Sequence, residues 1–196
     1  MSGLVRWPDD ARLVSWTWTA TALAFHLAVL NGALLALWLS GGAHQVERRL
    51  VGWHPGQSAA LGLVVGLALA VTARLPPLRP MWVALARRSS PPSLGGTLLV
   101  VSVGAVAEEL LFRGVLFHVV GPVAATALFA ASHVPSERDL WPWPVTGLFT
   151  GAVLGALHQE AGGVLGPVLA HVAWELSGRT ILRSGPGGST STGSAR

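Results

Sequence analysis

The chain contains no cysteine and no tyrosine, and all of its basic side chains are arginines. Without cysteine it has no disulfide, no thiolate zinc ligand and no cysteine nucleophile. The 13 basic side chains exceed the 9 acidic ones by a net charge of only +4. Because the arginines stand singly or in pairs between apolar runs, they form no basic face, and we expect no nucleic-acid partner.

Charged residues are scarce along the whole chain of 196 residues. They make up 11% of it, against 51% hydrophobic residues, and the mean hydropathy is +0.54. An ordinary soluble domain has about 25% charged residues. The composition therefore predicts a membrane protein whose surroundings are lipid.

Long apolar runs predict an all-α, polytopic membrane helix bundle with about six transmembrane helices, since a span needs about 20 apolar residues. The predicted spans are residues 16–40, 59–71 with their flanks, 94–120, 122–134, 145–157 and 162–182. A short interfacial helix is predicted at 81–86, and Trp141 and Trp143 resemble interfacial anchors. Gly147, Gly151 and Gly155 share one helical face, where another helix can approach closely.

The distribution of arginine predicts that both termini lie in the cytoplasm. With the N-terminus inside, only Arg48 and Arg49 lie in an outer loop, Arg113 lies within a span, and the other ten arginines are cytoplasmic. The arginine-only, Gly- and Ala-rich composition indicates a GC-rich, bacterial source. We expect a multi-pass protein of the bacterial inner (plasma) membrane.

Three spans carry ionisable side chains, which are costly in lipid and therefore candidates for function. In the first, Glu109 and Arg113 are four residues apart and suit an ion pair on one helical face. Glu108 is rotated by about 100° from that face, has no local cation and is the candidate general base. The second span ends at His133.

The third span places His171 and Glu175 one helical turn apart. Together with the first two spans they can form a water-holding polar site within the bundle. Glu175 can alternatively lie at the membrane surface beside Arg179. The remaining histidines are predicted to be structural or interfacial (His26, His118, His158) or solvent-exposed (His44, His54).

Three motifs in this order resemble the CAAX protease and bacteriocin-processing family of intramembrane proteases. The matching residues are Glu108, Glu109, Arg113 and Gly114, then Phe129 and His133, then Gly163, Pro167 and His171. The resemblance covers roughly residues 94–178. It suggests a catalytic membrane core at 94–183. The apolar runs predict a two-helix membrane region with a cytoplasmic connection at 1–93, and the Gly-, Ser- and Thr-rich composition predicts a disordered tail at 184–196.

The resemblance also implies a role for each residue. Glu108 activates a water with the help of His133, and His171 stabilises the oxyanion. Family members usually have Asn or Asp four residues after that histidine, where this chain has Glu175. An ionised glutamate cannot donate to an oxyanion, so Glu175 must be protonated, turned away or used differently.

The residues leave the metal question open. We favour a glutamic-type mechanism without a cofactor, with zinc bound by His133, His171 and Glu108 as the alternative. Ser102 and Ser132 lack the surroundings of a serine nucleophile.

The predicted function is an intramembrane endopeptidase that acts on a protein or peptide at the membrane. Prenylated C-terminal tails, bacteriocin leaders and C-terminal sorting signals all fit as substrates. The alternatives are an ion-coupled transporter, because intramembrane Glu, Arg and His also build proton relays, and a non-catalytic scaffold or immunity protein.

Overall fold

A computed structural model describes residues 9–89, 93–135 and 138–180, and this part of the chain is helical without strands. Its helices, in chain order, are α1 (Asp9–Val51), α2 (Pro55–Thr72), α3 (Arg79–Ser89), α4 (Leu94–Glu109), α5 (Phe117–Val119), α6 (Pro122–Ala131), α7 (Pro142–Ala161) and α8 (Leu165–Thr180). Short 3₁₀ turns occur at Pro76–Leu78 and Arg138–Leu140, and a π-helical segment, Leu110–Leu116, joins α4 to α5. The all-α prediction is confirmed, and the tail predicted at 184–196 lies outside the described residues.

The first helix is longer than the predicted span of 16–40 at both ends. α1 runs from Asp9 to Val51 and is broken at Gly41 and Gly42, where the backbone is not helical. Gly42 has a φ of 65°, which glycine adopts without the steric cost that a Cβ would add. The predicted outer loop with Arg48 and Arg49 is therefore the helical segment after this break.

Small residues bring α2 and α8 into close contact. The buried side of α2 carries Ser58, Gly62 and Gly66, one helical turn apart. A Cβ at Gly62 would lie 2.5 Å from the carbonyl oxygen of Gly166, and the Gly166 N–H donates to Ser58 Oγ at 2.9 Å. Backbone contact of this kind is how small residues hold membrane helices together without large apolar side chains.

The short helix predicted at 81–86 exists but is part of the core. α3 buries Met81, Trp82 and Leu85. Trp82 packs edge-on against Trp174 of α8, with ring centroids 5.0 Å apart, and Gly178 lies against the same ring. α3 therefore closes the end of the bundle where α8 finishes, and an interfacial location alone does not describe it.

The predicted break at Gly121-Pro122 is confirmed. Gly121 has a φ of 86°, and Pro122 begins α6 as its first residue, where its missing N–H costs nothing. α6 has 10 residues, or about 15 Å, half the thickness of a bilayer core. The predicted span at 122–134 is thus a half-length helix.

The glycine face of α7 packs against α6 and α5, which confirms the predicted close approach of another helix. A Cβ at Gly151 would lie 3.0 Å from the Phe129 ring, and one at Gly155 would lie 3.3 Å from the Phe117 ring. Trp143, predicted as an interfacial anchor, is half-buried at the start of α7, whereas Trp141 is exposed.

Three described helical stretches are long and apolar enough to cross a membrane: Thr19–Val51, Pro55–Thr72 and Leu94–Val119. Large apolar side chains such as Leu39, Leu67 and Val123 are exposed on the outside of the bundle, which suits contact with lipid. The count of six spans, the orientation of the termini and the boundaries at 93 and 183 remain predictions.

Candidate active site

The two neighbouring glutamates at the end of α4 face different surroundings, as their helical spacing predicts. Glu109 is fully buried, with 0% of its side chain exposed. The Glu108 side chain, 23% exposed, lines a cavity of about 390 Å³. One carboxylate therefore lies among protein groups, and the other reaches a space that can admit water.

Glu109 is the centre of a buried polar cluster. Its Oε1 accepts hydrogen bonds from Arg113 Nη1 and from His171 Nδ1, each at 2.9 Å. The Arg113 guanidinium also donates to the carbonyl oxygen of Gly151 at 3.1 Å and lies 4.3 Å above the Phe129 ring. The predicted ion pair is present, and it also fixes the ring of His171.

Glu108 points one carboxylate oxygen towards two histidines. Its Oε2 lies 3.8 Å from His133 Nε2 and 4.0 Å from His171 Nε2. The same oxygen is buried and has no hydrogen-bond partner among the described residues. The separations exceed a direct hydrogen bond, and a water held between the three groups fits them.

His133 is held in place at the end of α6 by its own helix and by α7. Its Nδ1 lies 2.7 Å from the carbonyl oxygen of Phe129. Because a carbonyl only accepts, Nδ1 carries a proton, and Nε2 of the neutral ring is an acceptor. The ring packs between Phe129 and Trp143, with centroid distances of 4.6 and 5.1 Å, so Trp143 contacts the site.

His26 of α1 is the site residue that the sequence prediction missed. Its Nε2 lies 3.5 Å from Glu108 Oε1, so the structural or interfacial role expected for it is incomplete. His26 precedes Glu108 by 82 positions, and no spacing rule links them. The sequence signal for His26 is the one that indicates His133: a histidine within an apolar span.

Glu175 lines the cavity, but its ion-pair partner among the described residues is Arg179, at 3.4 Å. His171 Nδ1 donates to Glu109 and not to Glu175. The structure therefore places Glu175 beside the site without a hydrogen bond to His171 among the described residues. A catalytic role for Glu175 remains a prediction.

The cavity lies between the first half of α1, the middle of α4 and the last half of α8, with α3 and α7 at its edges. Its walls are mostly apolar, and Glu108, His26, His171, Glu175 and Arg179 supply the ionisable groups. Both α1 and α8 have their chain-terminal ends on this side of the bundle. The turns at Gly52 and Gly162 contact each other through Gly52 and Gly163, and none of these glycines lines the cavity.

The other histidines lie apart from Glu108. His44 and His54 are exposed, as expected. His158 is buried, with Nδ1 3.1 Å from the carbonyl oxygen of Gly163 and Nε2 3.3 Å from His118 Nε2. His118 also contacts Arg49, so this pair joins three helices in a structural cluster.

The zinc alternative requires that His133, His171 and Glu108 be close enough to bind one metal ion. Within the described ranges, no group of three or more His, Asp or Glu side chains is arranged to hold a metal ion.

An all-helical bundle with apolar outer faces and a carboxylate–histidine site inside it defines a membrane protein with a candidate hydrolytic centre. Residues 90–177 match the sequence model of the family described as type II CAAX prenyl endopeptidase Rce1-like. This match confirms that residues 90–177 resemble a family of CAAX proteases. The matched segment contains Glu108, His133 and His171, whereas His26 lies outside it. Comparisons with curated proteins and with solved structures gave no match.

Proposed function

We propose that this protein is an intramembrane endopeptidase of the glutamic type. The observation that carries the proposal is the position of Glu108 Oε2, which lies 3.8 Å from His133 Nε2 and 4.0 Å from His171 Nε2. This oxygen has no hydrogen bond of its own among the described residues, and the Glu108 side chain lines the cavity. Hydrolysis of a peptide bond within lipid needs a delivered water, a base and a donor for the developing oxyanion. The three side chains supply these functions.

The water is bound between Glu108 and His133. It donates one hydrogen to Glu108 Oε2 and the other to His133 Nε2, the acceptor left by the Nδ1 bond to Phe129. Its oxygen lone pair then faces a carbonyl carbon in the cavity. Packing of His133 between two aromatic rings keeps this geometry, which a near-attack arrangement requires.

Attack begins when Glu108 takes the water proton and the oxygen bonds to the substrate carbonyl carbon. The carbonyl π electrons move to the oxygen, and His171 stabilises that oxyanion. His171 already donates through Nδ1 to Glu109, and as an imidazolium it carries a second N–H at Nε2. The negative charge of Glu109 thus stabilises the positive charge of the His171 imidazolium, which is the form that binds the oxyanion.

Collapse of the tetrahedral intermediate re-forms the carbonyl and breaks the C–N bond. The proton held by Glu108 passes to the leaving amine, which restores the carboxylate. The net reaction consumes one water and yields a new carboxyl terminus and a new amino terminus. Glu108 carries the one proton that moves from the water to the amine, and the second water hydrogen stays on the oxygen of the new carboxyl group, so no further acid is needed.

No step of this mechanism uses a metal. Dialysis of the purified protein against a strong zinc chelator should leave the cleavage rate unchanged, and elemental analysis should show less than one zinc per chain. Loss of activity on chelation with recovery on adding zinc would support the alternative, in which His133, His171 and Glu108 hold the ion.

We propose the bacterial plasma membrane as the location, with both termini in the cytoplasm. The cavity then opens from the side of the chain termini, so a segment near the cytoplasmic membrane surface is the accessible substrate. The candidate substrates are then a C-terminal tail, a sorting signal or a peptide leader that reaches this surface.

The direct test uses the full chain in lipid nanodiscs and a library of quenched-fluorescent peptides with apolar C-terminal segments. Glu108→Gln should abolish cleavage while protein abundance stays near wild type. Glu160→Gln is the matched control, because Glu160 is exposed at the end of α7. Cleavage by Glu108→Gln at the wild-type rate would contradict the proposal.

A further inference from the structure

We infer that His26, on the first helix and outside the matched domain, is a positioning residue that orients the Glu108 carboxylate. The inference rests on the proposed function and adds a third histidine to it. Glu108 Oε1 lies near His26, whereas Oε2 lies near His133 and His171.

The orientation of His26 is set by its own helix. Nδ1 lies 2.7 Å from the carbonyl oxygen of Ala22, one turn earlier. Because the carbonyl and the Glu108 carboxylate both only accept, the ring between them is an imidazolium. Nδ1 donates to Ala22, and the N–H at Nε2 is directed towards Glu108 Oε1. Ring and helix therefore aim Nε2 in one direction.

Gly104 makes the approach possible. It lies one turn before Glu108 on α4, and a Cβ at this position would lie 3.3 Å from His26 Nε2. That separation is tighter than an ordinary carbon contact, so a larger residue would push the ring away from the carboxylate. The ring is 19% exposed and lines the same cavity as Glu108.

The hydrogen bond to Ala22 uses only Nδ1 of His26. It does not account for the position of Nε2 beside Glu108. His26 Nε2 lies 3.5 Å from Oε1, whereas His133 and His171 lie near Oε2. A carboxylate held at Oε1 cannot rotate freely about its last bond. His26 thus keeps Oε2 directed at the water between the other two histidines.

The contact is tested without any substrate by a double-mutant cycle in thermal unfolding of the purified full chain. His26→Ala should lower Tm by about 2–4 °C more in wild type than in the Glu108→Ala background. Asn31→Ala is the matched control, since the exposed Asn31 side chain donates to the carbonyl four residues earlier at the same 2.7 Å. It should lower Tm equally in both backgrounds, and an equal effect of His26→Ala in both would overturn the contact.

The positioning role is tested by kinetics on a peptide from the library that wild type cleaves. His26→Ala should lower kcat by roughly 10²-fold, the cost of a misplaced reacting group, with KM little changed. His26→Gln, which keeps a polar group towards Oε1, should recover part of kcat, and Asn31→Ala should match wild type. If Glu108→Gln is inactive but His26→Ala has wild-type kcat, the positioning role is wrong and the proposed function stands. If Glu108→Gln is active, the proposed function fails, and the thermal cycle still decides the contact.

Discussion

Glu109 and His171 are joined by a hydrogen bond of 2.9 Å between Oε1 and Nδ1, and the same oxygen accepts from Arg113. One carboxylate oxygen therefore connects Arg113 of the π-helical segment to the histidine that lines the cavity beside Glu108. Removing a charge from this group affects folding and chemistry together, which separates Glu109 from its neighbour Glu108.

Glu109→Gln should lower both thermal stability and cleavage. It leaves the buried Arg113 guanidinium without its counter-charge, and breaking a buried pair in this way costs roughly 3–5 kcal/mol. Thermal unfolding in detergent, followed by tryptophan fluorescence, measures the effect. Arg113→Ala should behave alike, and Glu108→Gln is the control with near-normal abundance. A stable Glu109→Gln protein with full activity would contradict the assignment.

Glu175 should tolerate substitution. Its carboxylate pairs with Arg179, and Glu109 already fixes His171, so Glu175→Gln and Glu175→Ala should keep most of the wild-type rate. Initial rates on one cleaved peptide measure this. If Glu175→Gln is active and Glu175→Ala loses about 10²–10³-fold, the side chain donates to the oxyanion instead.

Gly62→Ala should destabilise the bundle, because the added Cβ would lie 2.5 Å from the Gly166 carbonyl oxygen. Overpacking of this kind costs roughly 1–3 kcal/mol. Gly56→Ala, on the same helix with nothing within 4 Å, is the matched control and should be neutral or slightly stabilising. Equal Tm values for the two variants would show that α2 and α8 do not pack as described.

Reporter fusions should place both termini in the cytoplasm. A phosphatase fused after residue 196 should be inactive, and a fluorescent protein at the same point should fluoresce. The ten arginines assigned to the inside supply the physical reason. An active phosphatase would overturn the even count of spans, for which the 10-residue α6 is the critical segment.

The sequence alone predicted the helical class, the break at Gly121-Pro122 and the Glu109–Arg113 pair, because each depends on residues close together in the chain. Apolar length, a proline at a helix start and a spacing of four are local signals. The position of each residue on its helix also predicted that Glu108 and Glu109 face different ways.

Features that depend on contacts between distant segments could not be predicted from the sequence. Burial of α3 requires Trp174 on α8, and the role of His26 requires Gly104 on α4. The Gly62 and Gly66 pair has the same spacing as the glycines noted on α7, so its packing was available to the same rule. The hydrogen bond between His171 and Glu109 could not be predicted, because the two residues are 62 positions apart. The spacing of four pairs Glu109 with Arg113 and gives no sign of a second partner.

The position of His26 on α1 bears on how far the matched domain can be exchanged between proteins. A chimera that joins residues 90–177 to a different pair of leading helices would keep Glu108, His133 and His171 but would lose the ring that faces Oε1. The kcat of the chimera would then depend on whether the new first helix places a polar side chain beside Glu108 Oε1, where His26 lies in this protein. If His26 has the role proposed above, activity depends on a residue outside the matched segment 90–177.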